Sequence, residues 1–582
     1  MNTRYTHKLI PLSLAMIILI LSACSAAPTT QTTLPQPEAT QAEEQASPQP
    51  TQEEEIKPTI DIPDQPKSTT FIWTQEFDTL NPIYTNIWFS SITHQIWNCW
   101  AWDFDDQNAP HPVLVTEIPS LENGGISEDG RVITLKLRQD IVWSDGDPIT
   151  SEDFLFTYQM IMSPNNGLPN TYPYDYMIDL ETPDEHTVVI TFSEPFAPWL
   201  STLFHGLLPA HVLRPIFESD GTILNSTWNT SPNVSCGPYQ FVNWQAGEYV
   251  KFEANENYWL GAPNIDELII RFVPDEATQV QTLKDGVGDL GTYFNLAHAP
   301  ELEEAGIEIL NIYSGYNEGL FFNLDPERGH AALQEKDVRH AIALALDRNK
   351  LIETLQLENI EPAISYWDNT PYVDPSIQDY PYDPERAKQL LDEAGWVDTD
   401  GNGIVDKNGL DMILSYGTTN RQNRLEAQTF VVEQLNAVGI KLQPSSYIAE
   451  NLFSNWNDGG LAATGQLDLV QYSTRTNFPD PDTADWLCSE IPTSAMPFGA
   501  NWSRLCDEEI DALFQEQLYQ VDSQERQETF YKISKLIHDN VYWLGLWQDP
   551  DVWSINQRLT NVNISGVTPF YNLYEWDVVS QE

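Results

Sequence analysis

The sequence predicts a mixed fold of the α/β or α+β class, in which sheets carry helices. Residues 131–138 alternate apolar and polar side chains, the period of a half-buried strand, and residues 186–192 and 268–273 are also strand-like. Thr150 and Asp153 have the spacing of a capping box at the start of a helix with one apolar face. No repeat of about 20 to 50 residues recurs, which argues against solenoids and propellers.

Further helices are predicted in the second half of the chain. Asp383 and Pro384 supply a cap and a proline at the first helical position, and Gly395 ends that helix. Three other segments have helical patterns, the first of them followed by a strand-like segment at 440–443: residues 424–438, 508–520 and 524–540. The alternation of strands and helices is typical of mixed sheets.

The first 23 residues have the pattern of an export signal. Arg4 and Lys8 precede the apolar run 9–21, which is shorter than the roughly 20 residues of a membrane-spanning helix. The run ends in Leu-Ser-Ala-Cys24, which resembles the lipobox of bacterial lipoproteins, and an acylated Cys24 would be the first mature residue. The alternative is an ordinary secretory signal with an incidental cysteine. No later stretch is apolar for long enough to span a bilayer, so the lipid would be the only anchor.

Residues 24–66 are predicted to form a disordered linker. Behind Cys24 they contain eight prolines, many Thr, Gln and Glu, and no aromatic residue. Such a segment cannot bury enough apolar surface to offset its ordering entropy. Fully extended it would reach about 140 Å, so it would tether a folded body to the membrane.

The folded body, from residue 67 on, is longer than one hydrophobic core usually supports, so two or three domains are expected. The chain has 28 basic and 86 acidic residues and a formal net charge of −58. Nucleic-acid binding requires clustered Lys and Arg, so this composition argues against it. The charge favours solubility and says little about the charge of a ligand.

Cysteine number predicts disulfides. Without Cys24 four cysteines remain, and an even number in an exported chain suggests two bridges with three possible connectivities. They are Cys99, Cys236, Cys488 and Cys506.

No arrangement of catalytic residues stands out. The chain contains no Gly-x-Ser-x-Gly, Walker, His-Glu-x-x-His or Cys-x-x-Cys motif, and its ten histidines are scattered. We therefore expect a protein that is not an enzyme and has no cofactor or histidine-bound metal. The one weak metal candidate is an EF-hand-like loop with oxygens at Asp398, Asp400, Asn402 and Asp406. Gly409 stands where the bidentate glutamate would be, so a simple turn is the better explanation.

Six segments follow one another in a fixed order. They are PVLVTE at 112–117 leading into the strand 132–138, IVWSDGDPITSEDFLFTY at 141–158, PDEHTVVI at 183–190, CGPY at 236–239 with NYWLG at 257–261, DVRHAIALA at 337–345, and YDPERAKQLL at 382–391. This order resembles the family-5 solute-binding proteins, the dipeptide, oligopeptide and nickel receptors of ABC importers. The likeness covers residues 71–559.

The resemblance implies the two-lobed fold of type II, cluster C periplasmic binding proteins, with an extra domain in the first lobe. The expected boundaries are 67–112, 229–324 and 539–582 for lobe I, 113–228 for the extra domain, and 325–538 for lobe II. Because the chain passes between the lobes more than once, the connections can act as a hinge. A ligand that contacts both lobes would favour the closed state.

The resemblance also implies which loops face the ligand. In lobe I these are the segments 97–100 and 236–239, and opposite them lie 316–323 and 472–480. The predicted ligand-binding residues are Trp97, Asn98, Cys236, Gly237, Tyr316, Asn317, Tyr472, Thr474, Arg475, Asn477 and Asp480. Backbone groups and polar side chains could fix polar ligand groups there, although any of the aromatic rings could equally belong to a core.

Two further expectations rest on the family. Some dipeptide receptors carry a bridge where Cys488 and Cys506 stand, and the family loops that hold Cys99 and Cys236 lie side by side, so we expect these two pairings. Peptide receptors place an aspartate upstream of an Asp/Glu-Pro pair, where it binds the ammonium of the peptide. Here Asn477 precedes Asp480-Pro481, so recognition is expected not to need a free α-amino group. Asp480 or Asp482 could replace that aspartate if the loop is shifted.

The expected function is the extracytoplasmic substrate-binding component of an ABC importer, a monomer that captures a peptide or related small solute and delivers it to the permease subunits. The nineteen tryptophans keep an oligosaccharide receptor open, because sugars stack on aromatic rings. A sensory or adhesive lipoprotein of the same fold is a further alternative. A secreted hydrolase or lyase is disfavoured by the absent nucleophile motifs. The sequence does not name the ligand or the permease.

Replacing the lipobox cysteine tests the anchor. Cys24→Ala should remove the thiol that is acylated, so the variant should be recovered in the soluble fraction rather than with membranes, as measured by fractionation and mass spectrometry of the N-terminus. Wild-type protein that is free in the medium with an unmodified N-terminus would contradict the anchor.

Overall fold

The computed structural model describes residues 66–85, 87–168, 171–355, 357, 360–474 and 480–579. The export signal, Cys24 and nearly all of the linker lie outside these residues, so their predictions stay predictions. Within the described part, no helix combines the length and apolarity that crossing a membrane requires. Two large sheets and one smaller sheet organise the chain.

The first sheet has seven strands and forms lobe I. In spatial order they are Ile307–Ile312, Asp551–Asn556, Leu290–Thr292, Ser68–Trp73, Glu267–Phe272, Tyr249–Ala254 and Tyr239–Gln245. The strand Ser68–Trp73 runs parallel to both of its neighbours, and the other pairs are antiparallel. Its side chains alternate between two cores, because Phe71 and Trp73 pack on one face and Ile72 on the other.

The second sheet has five strands and forms lobe II. In spatial order they are Lys441–Tyr447, Ile413–Thr419, Leu469–Ser473, Asn317–Phe322 and Trp543–Gln548. The strand Ile413–Thr419 is parallel to both neighbours, whereas Asn317–Phe322 is antiparallel to both of its own. All six residues of Asn317–Phe322 are buried, as expected for a strand covered on both faces.

Sheet membership moves two expected lobe boundaries. The strand Asn317–Phe322 pairs within the second sheet, and so does Trp543–Gln548, although both were expected in lobe I. The chain therefore passes between the sheets at 313–316 and at 549–550, rather than near 324 and 538. Local patterns could not reveal this, because a buried strand looks the same whichever sheet it joins.

The third sheet belongs to the extra domain. Its strands are Val132–Lys136, Thr187–Phe192 and Met177–Asp184, all antiparallel. The helix Ser151–Met162 packs on this sheet, and Thr150 with Asp153 forms the predicted capping box at its start. Both predicted strands of this domain are thus present, the first three residues and the second one residue shorter than expected.

Short two-stranded sheets complete the strands. They pair Trp102–Phe104 with Pro110–Pro112, Asp406–Lys407 with Leu410–Asp411, and Leu559–Thr560 with Asp577–Val578. The α-helices are Trp88–Trp97, Ser151–Met162, Trp199–Thr202, Ala210–Asp220, Glu276–Lys284, Ala299–Glu304, Lys336–Leu344, Arg348–Thr354, Pro384–Glu393, Gln422–Ala437, Ala449–Phe453, Glu508–Gln517 and Ser523–Asp539.

The predicted helices of lobe II are confirmed with small shifts at their ends. Asp383 accepts from the N–H of Arg386, which caps the helix that starts at Pro384. The helix predicted at 424–438 begins two residues earlier, at Gln422. The one predicted to reach residue 520 stops at Gln517, whose side chain is buried and bonded within the lobe.

Both expected disulfides are present. Cys99 and Cys236 are bonded with their Cα atoms 5.4 Å apart, and Cys488 and Cys506 with theirs 4.7 Å apart. The first bridge joins the helix–strand connection of lobe I to the segment that follows the extra domain. The second closes a loop within lobe II.

Removing the lobe II bridge tests its contribution to stability. The bridge joins residues that are 18 positions apart in the sequence. Cys488→Ser with Cys506→Ser should lower the free energy of unfolding of this lobe by about 3 kcal/mol, because the unfolded chain gains conformational entropy when a loop of this length is no longer closed. Guanidinium unfolding followed by tryptophan fluorescence measures this change. Ser489→Ala, next to the bridge, serves as the control, and equal midpoints for the double variant and wild type would contradict the expectation.

Candidate ligand-binding site

In lobe I the two predicted ligand segments are bound to each other. The carbonyl of Trp97 accepts from the N–H groups of Cys236 (3.1 Å) and Gly237 (3.0 Å), and the Cys99–Cys236 disulfide lies beside them. A Cβ added at Gly237 would lie 2.7 Å from the backbone of Trp97 and Asn98. Gly237 is therefore required by the close approach of two backbones.

The side chains of Trp97 and Asn98 point into lobe I. Trp97 is fully buried and packs edge-on against Trp228, with ring centroids 5.4 Å apart. The Asn98 carboxamide donates to the carbonyl of Leu207 (3.0 Å) and accepts from its N–H (2.9 Å). Both side chains are consequently committed to contacts within lobe I.

In lobe II the predicted residues also form one bonded unit. The N–H of Thr474 donates to the carbonyl of Asn317 (2.8 Å), and the N–H of Asn317 donates to the Thr474 hydroxyl (3.0 Å). The Asn317 side chain donates to the carbonyl of Tyr366 (3.3 Å). Tyr472 stacks on Phe321 with ring centroids 3.8 Å apart and is buried. Tyr472 thus contributes to the core of lobe II.

Tyr316 lies on the first crossing between the sheets and is partly exposed. Its carbonyl accepts from the N–H of Asp549 on the second crossing (3.0 Å). Burial, with smaller contributions from the Asp551 and Asp549 carboxylates and Tyr293, raises the pKa of Tyr316 to about 12. The Tyr316 hydroxyl therefore stays protonated at neutral pH and can donate a hydrogen bond.

A buried ion pair that sequence reasoning missed lies beside these residues. Both carboxylate oxygens of Glu318 accept from Arg424, at 2.8 Å each, and both side chains are buried. Ser473 donates to Glu318 (2.8 Å), and its hydroxyl oxygen also lies 2.9 Å from the Asp549 carboxylate. Arg424 stands in the first turn of its helix, where the helix dipole disfavours a cation. An arginine at such a position was the available signal in the sequence that it pairs with a carboxylate elsewhere in the chain.

Two more carboxylates lie at the crossings. Burial, and then the nearby Glu318 carboxylate, raises the pKa of Asp549. Burial raises the pKa of Asp551 to about 7, although the hydroxyl of Ser314 donates to it at 2.7 Å. Protonation of Asp551 is therefore sensitive to pH near neutrality.

The predicted loop 472–480 is described only in part. Arg475 and Asn477 lie outside the described residues, so their roles stay predictions. Asp480 is buried and forms a two-pronged ion pair with Arg526, in which its Oδ2 lies 2.9 Å from Nη2. Arg526 also donates to the hydroxyl of Tyr372 (3.1 Å). The carboxylate of Asp480 is thus occupied by a protein cation.

The weak calcium candidate is a loop stabilised by its own hydrogen bonds. Asp398 accepts from the N–H groups of Gly401 (2.7 Å), Asn402 (3.1 Å) and Gly403 (3.0 Å). Asp406 is buried and accepts from both the N–H and the hydroxyl of Thr399. This pattern favours the simple turn, and we assign no ion to it.

Asp145, Asp147 and His211 also lie close together, at the surface of the extra domain. The Nε2 atom of His211 lies 3.0 Å from Asp145 and 3.7 Å from Asp147. His211 stands in the first turn of the helix Ala210–Asp220, whose N-terminus favours acidic neighbours and disfavours a cation. The contact of His211 with Asp145 accounts for this cluster as a surface pair, and we assign no ion here either.

The Asp551 carboxyl gives a prediction about pH. Its folded-state pKa lies above the ordinary value of about 3.9, so the unfolded chain binds fewer protons there between about pH 4 and 7, and the folded state loses stability as pH rises through that window. Asp551→Asn should raise the free energy of unfolding by about 2 kcal/mol at pH 8 and change it little at pH 4. Urea unfolding at both pH values measures this difference.

The exposed Asp179→Asn is the matched control and should change stability equally little at both pH values. If Asp551→Asn behaves like Asp179→Asn at pH 8, the Asp551 carboxylate is not destabilising.

Known proteins share this architecture. The solved structure of CtaP from Listeria monocytogenes, an ABC transporter substrate-binding protein, superposes with a TM-score of 0.73 at 22% identity and covers 89% of this chain and 100% of that one. NikZ from Campylobacter jejuni, solved with Ni(L-His), gives a TM-score of 0.71 at 23% identity and covers 88% and 99%. These likenesses establish the two-lobed type II binding-protein fold.

Sequence comparison identifies the family. Di/tripeptide-binding protein 2 of Pseudomonas aeruginosa is 26% identical over 499 residues, which cover 79% of this chain and 85% of that protein. The family description "Bacterial extracellular solute-binding proteins, family 5 Middle" matches residues 109–489. The chain therefore belongs to the family-5 extracellular solute-binding proteins of bacteria.

Proposed function

We propose that this protein is the substrate-binding component of an ABC importer and captures a peptide or a related small solute between its two lobes outside the cytoplasm. The observation that carries the proposal is that the ligand segments predicted in lobe II lie at the two crossings. The first crossing ends at Tyr316, and the next residue, Asn317, is bonded to Thr474. From the second crossing, the N–H of Asp549 donates to the carbonyl of Tyr316. A solute bound there would sense the relative position of the lobes.

The proposed contacts differ between the lobes. In lobe I a solute would meet the backbone of the segment 97–98 and of Gly237, because their side chains are buried or absent. The Trp97 carbonyl and the Gly237 N–H in this backbone are already bonded to each other. In lobe II the Tyr316 hydroxyl would donate a hydrogen bond, and Thr474 would present its backbone. Arg475 and Asn477 remain proposed ligand residues on the strength of the family resemblance alone. No catalytic step is proposed.

For the ligand, we infer a recognition that does not depend on a free α-amino group. Asn477, which has no charge, stands where peptide receptors of the family carry an aspartate. Asp480 was the first candidate to replace that aspartate, but its carboxylate is paired with Arg526. Recruiting Asp480 for a ligand ammonium would leave Arg526 buried without its partner, which costs several kcal/mol.

Two alternatives remain within reach of a test. An oligosaccharide receptor would need exposed aromatic rings in the cleft, and fourteen of the nineteen tryptophans are buried. A sensory lipoprotein would bind a solute without a permease. Neighbouring permease and ATPase genes separate an importer from a sensor, and the lipid anchor and the monomeric state are proposed for either.

Identifying the bound solute tests the function directly. Protein purified without added ligand should release, on denaturation, a peptide or related small solute that mass spectrometry identifies. Release of a sugar would support the oligosaccharide alternative and contradict this proposal.

A matched pair of peptides tests the ligand inference. The protein should bind a peptide and its N-acetylated twin with similar affinity in calorimetry, because Asn477 carries no charge and the Asp480 carboxylate is already paired with Arg526. A preference for the free amine well beyond tenfold, about 1.4 kcal/mol, would contradict the inference and restore an ordinary peptide receptor.

A further inference from the structure

The extra domain touches lobe II directly, away from the two crossings. The N–H of Ala197, in the loop after the strand Thr187–Phe192, donates to the carbonyl of Leu518 at 3.0 Å. Leu518 lies in the short connection between the helices Glu508–Gln517 and Ser523–Asp539. A backbone hydrogen bond therefore joins the tip of the extra domain to lobe II.

A close apolar contact lies beside this bond. Gly130 ends the turn 127–130 with a φ of +68°. A Cβ added there would lie 2.6 Å from Cγ1 of Val521 and 3.1 Å from Cβ of Pro195. The glycine lets the turn lie directly against Val521, which belongs to the same connection as Leu518.

Aromatic packing stabilises the extra-domain side of this contact. The Phe196 ring is buried and lies 5.4 Å from Phe192 and 5.0 Å from Tyr176, with Tyr172 at 6.1 Å. These rings fix the loop that presents Ala197. The loop that contacts lobe II is thus packed against the aromatic rings of its own domain.

On the other side, the contact is linked to the predicted ligand loop. The buried side chain of Gln517 accepts from Arg526 at 2.9 Å, and the same Arg526 is paired with Asp480. Asp480 directly follows residues 475–479 of that loop. One arginine therefore connects the ligand loop to the connection that the extra domain touches.

We propose that the extra domain carries a latch, formed by Gly130 and residues 195–197, that holds lobe II in the closed state through Leu518 and Val521. The extra domain is part of lobe I, so these contacts join lobe I to lobe II and are lost when the lobes separate. They therefore stabilise the closed state alone. The inference rests on the proposed closure around a solute. It gives the extra domain a role in setting how readily the cleft opens.

Spin-label distances in the ligand-free mature chain, refolded after denaturation, test the latch. The spin labels are attached to amino acids with a ketone side chain, introduced in place of the exposed Leu121 of the extra domain and Leu410 of lobe II. Because no cysteine is added, both disulfides stay intact. Val521→Asp would place a charge against Gly130 and Pro195, so the ratio of the long-distance to the short-distance population should rise about tenfold.

Two further variants keep the test decisive. Val287→Asp adds the same charge at an exposed valine of lobe I and should leave the distances unchanged. Val521→Ala removes only methyl groups and should shift the ratio in the same direction by a smaller factor, even if Val521→Asp fails to fold. The proposal is overturned if Val521→Ala and the folded Val521→Asp both match wild type, or if wild type shows no short-distance population. Because no solute is added, this outcome is independent of whether the proposed ligand is correct.

Discussion

The rest of the structure depends on one constraint. Two chain segments pass together from one sheet to the other, and they are paired antiparallel in both sheets. Residues 307–322 run through both sheets beside residues 543–556, with Ile312 opposite Asp551 in the first sheet and Asn317 opposite Gln548 in the second. Between these pairs the N–H of Asp549 donates to the carbonyl of Tyr316. The lobes therefore share a two-stranded connection of a few residues, at 313–316 and 549–550, which is the length typical of a hinge.

Charge is concentrated at this connection. Glu318, Asp549 and Asp551 lie within a few residues of the crossings, and Arg424 pairs fully with Glu318 alone. Partly buried carboxylates without a full counter-charge are costly, and this cost is the physical cause of the raised pKa values of Asp549 and Asp551. The electrostatic balance at the crossings thus depends on pH and on any charge that a solute brings.

In each lobe the predicted ligand segments are bonded to one another. In lobe I a disulfide, two backbone hydrogen bonds and the absence of a side chain at Gly237 join the segments 97–99 and 236–237. In lobe II the mutual bonds of Asn317 and Thr474 do the same. Segments that are held in this way have little conformational freedom left to lose.

The sequence by itself determined the mixed α/β class, most strands and helices, the capping box at Thr150 and the family, because periodicity, caps and ordered motifs are properties of neighbouring residues. Family likeness added the two disulfide pairings. Only the tertiary structure decided that Asn317–Phe322 joins the second sheet, where its partner Trp543–Gln548 lies more than 200 residues away. Only the tertiary structure decided that the side chains of Trp97 and Asn98 point into lobe I. It also decided that Asp480 pairs with Arg526. Strand partners, side-chain direction and the pairing of buried charges depend on contacts between distant parts of the chain, and no local pattern encodes them.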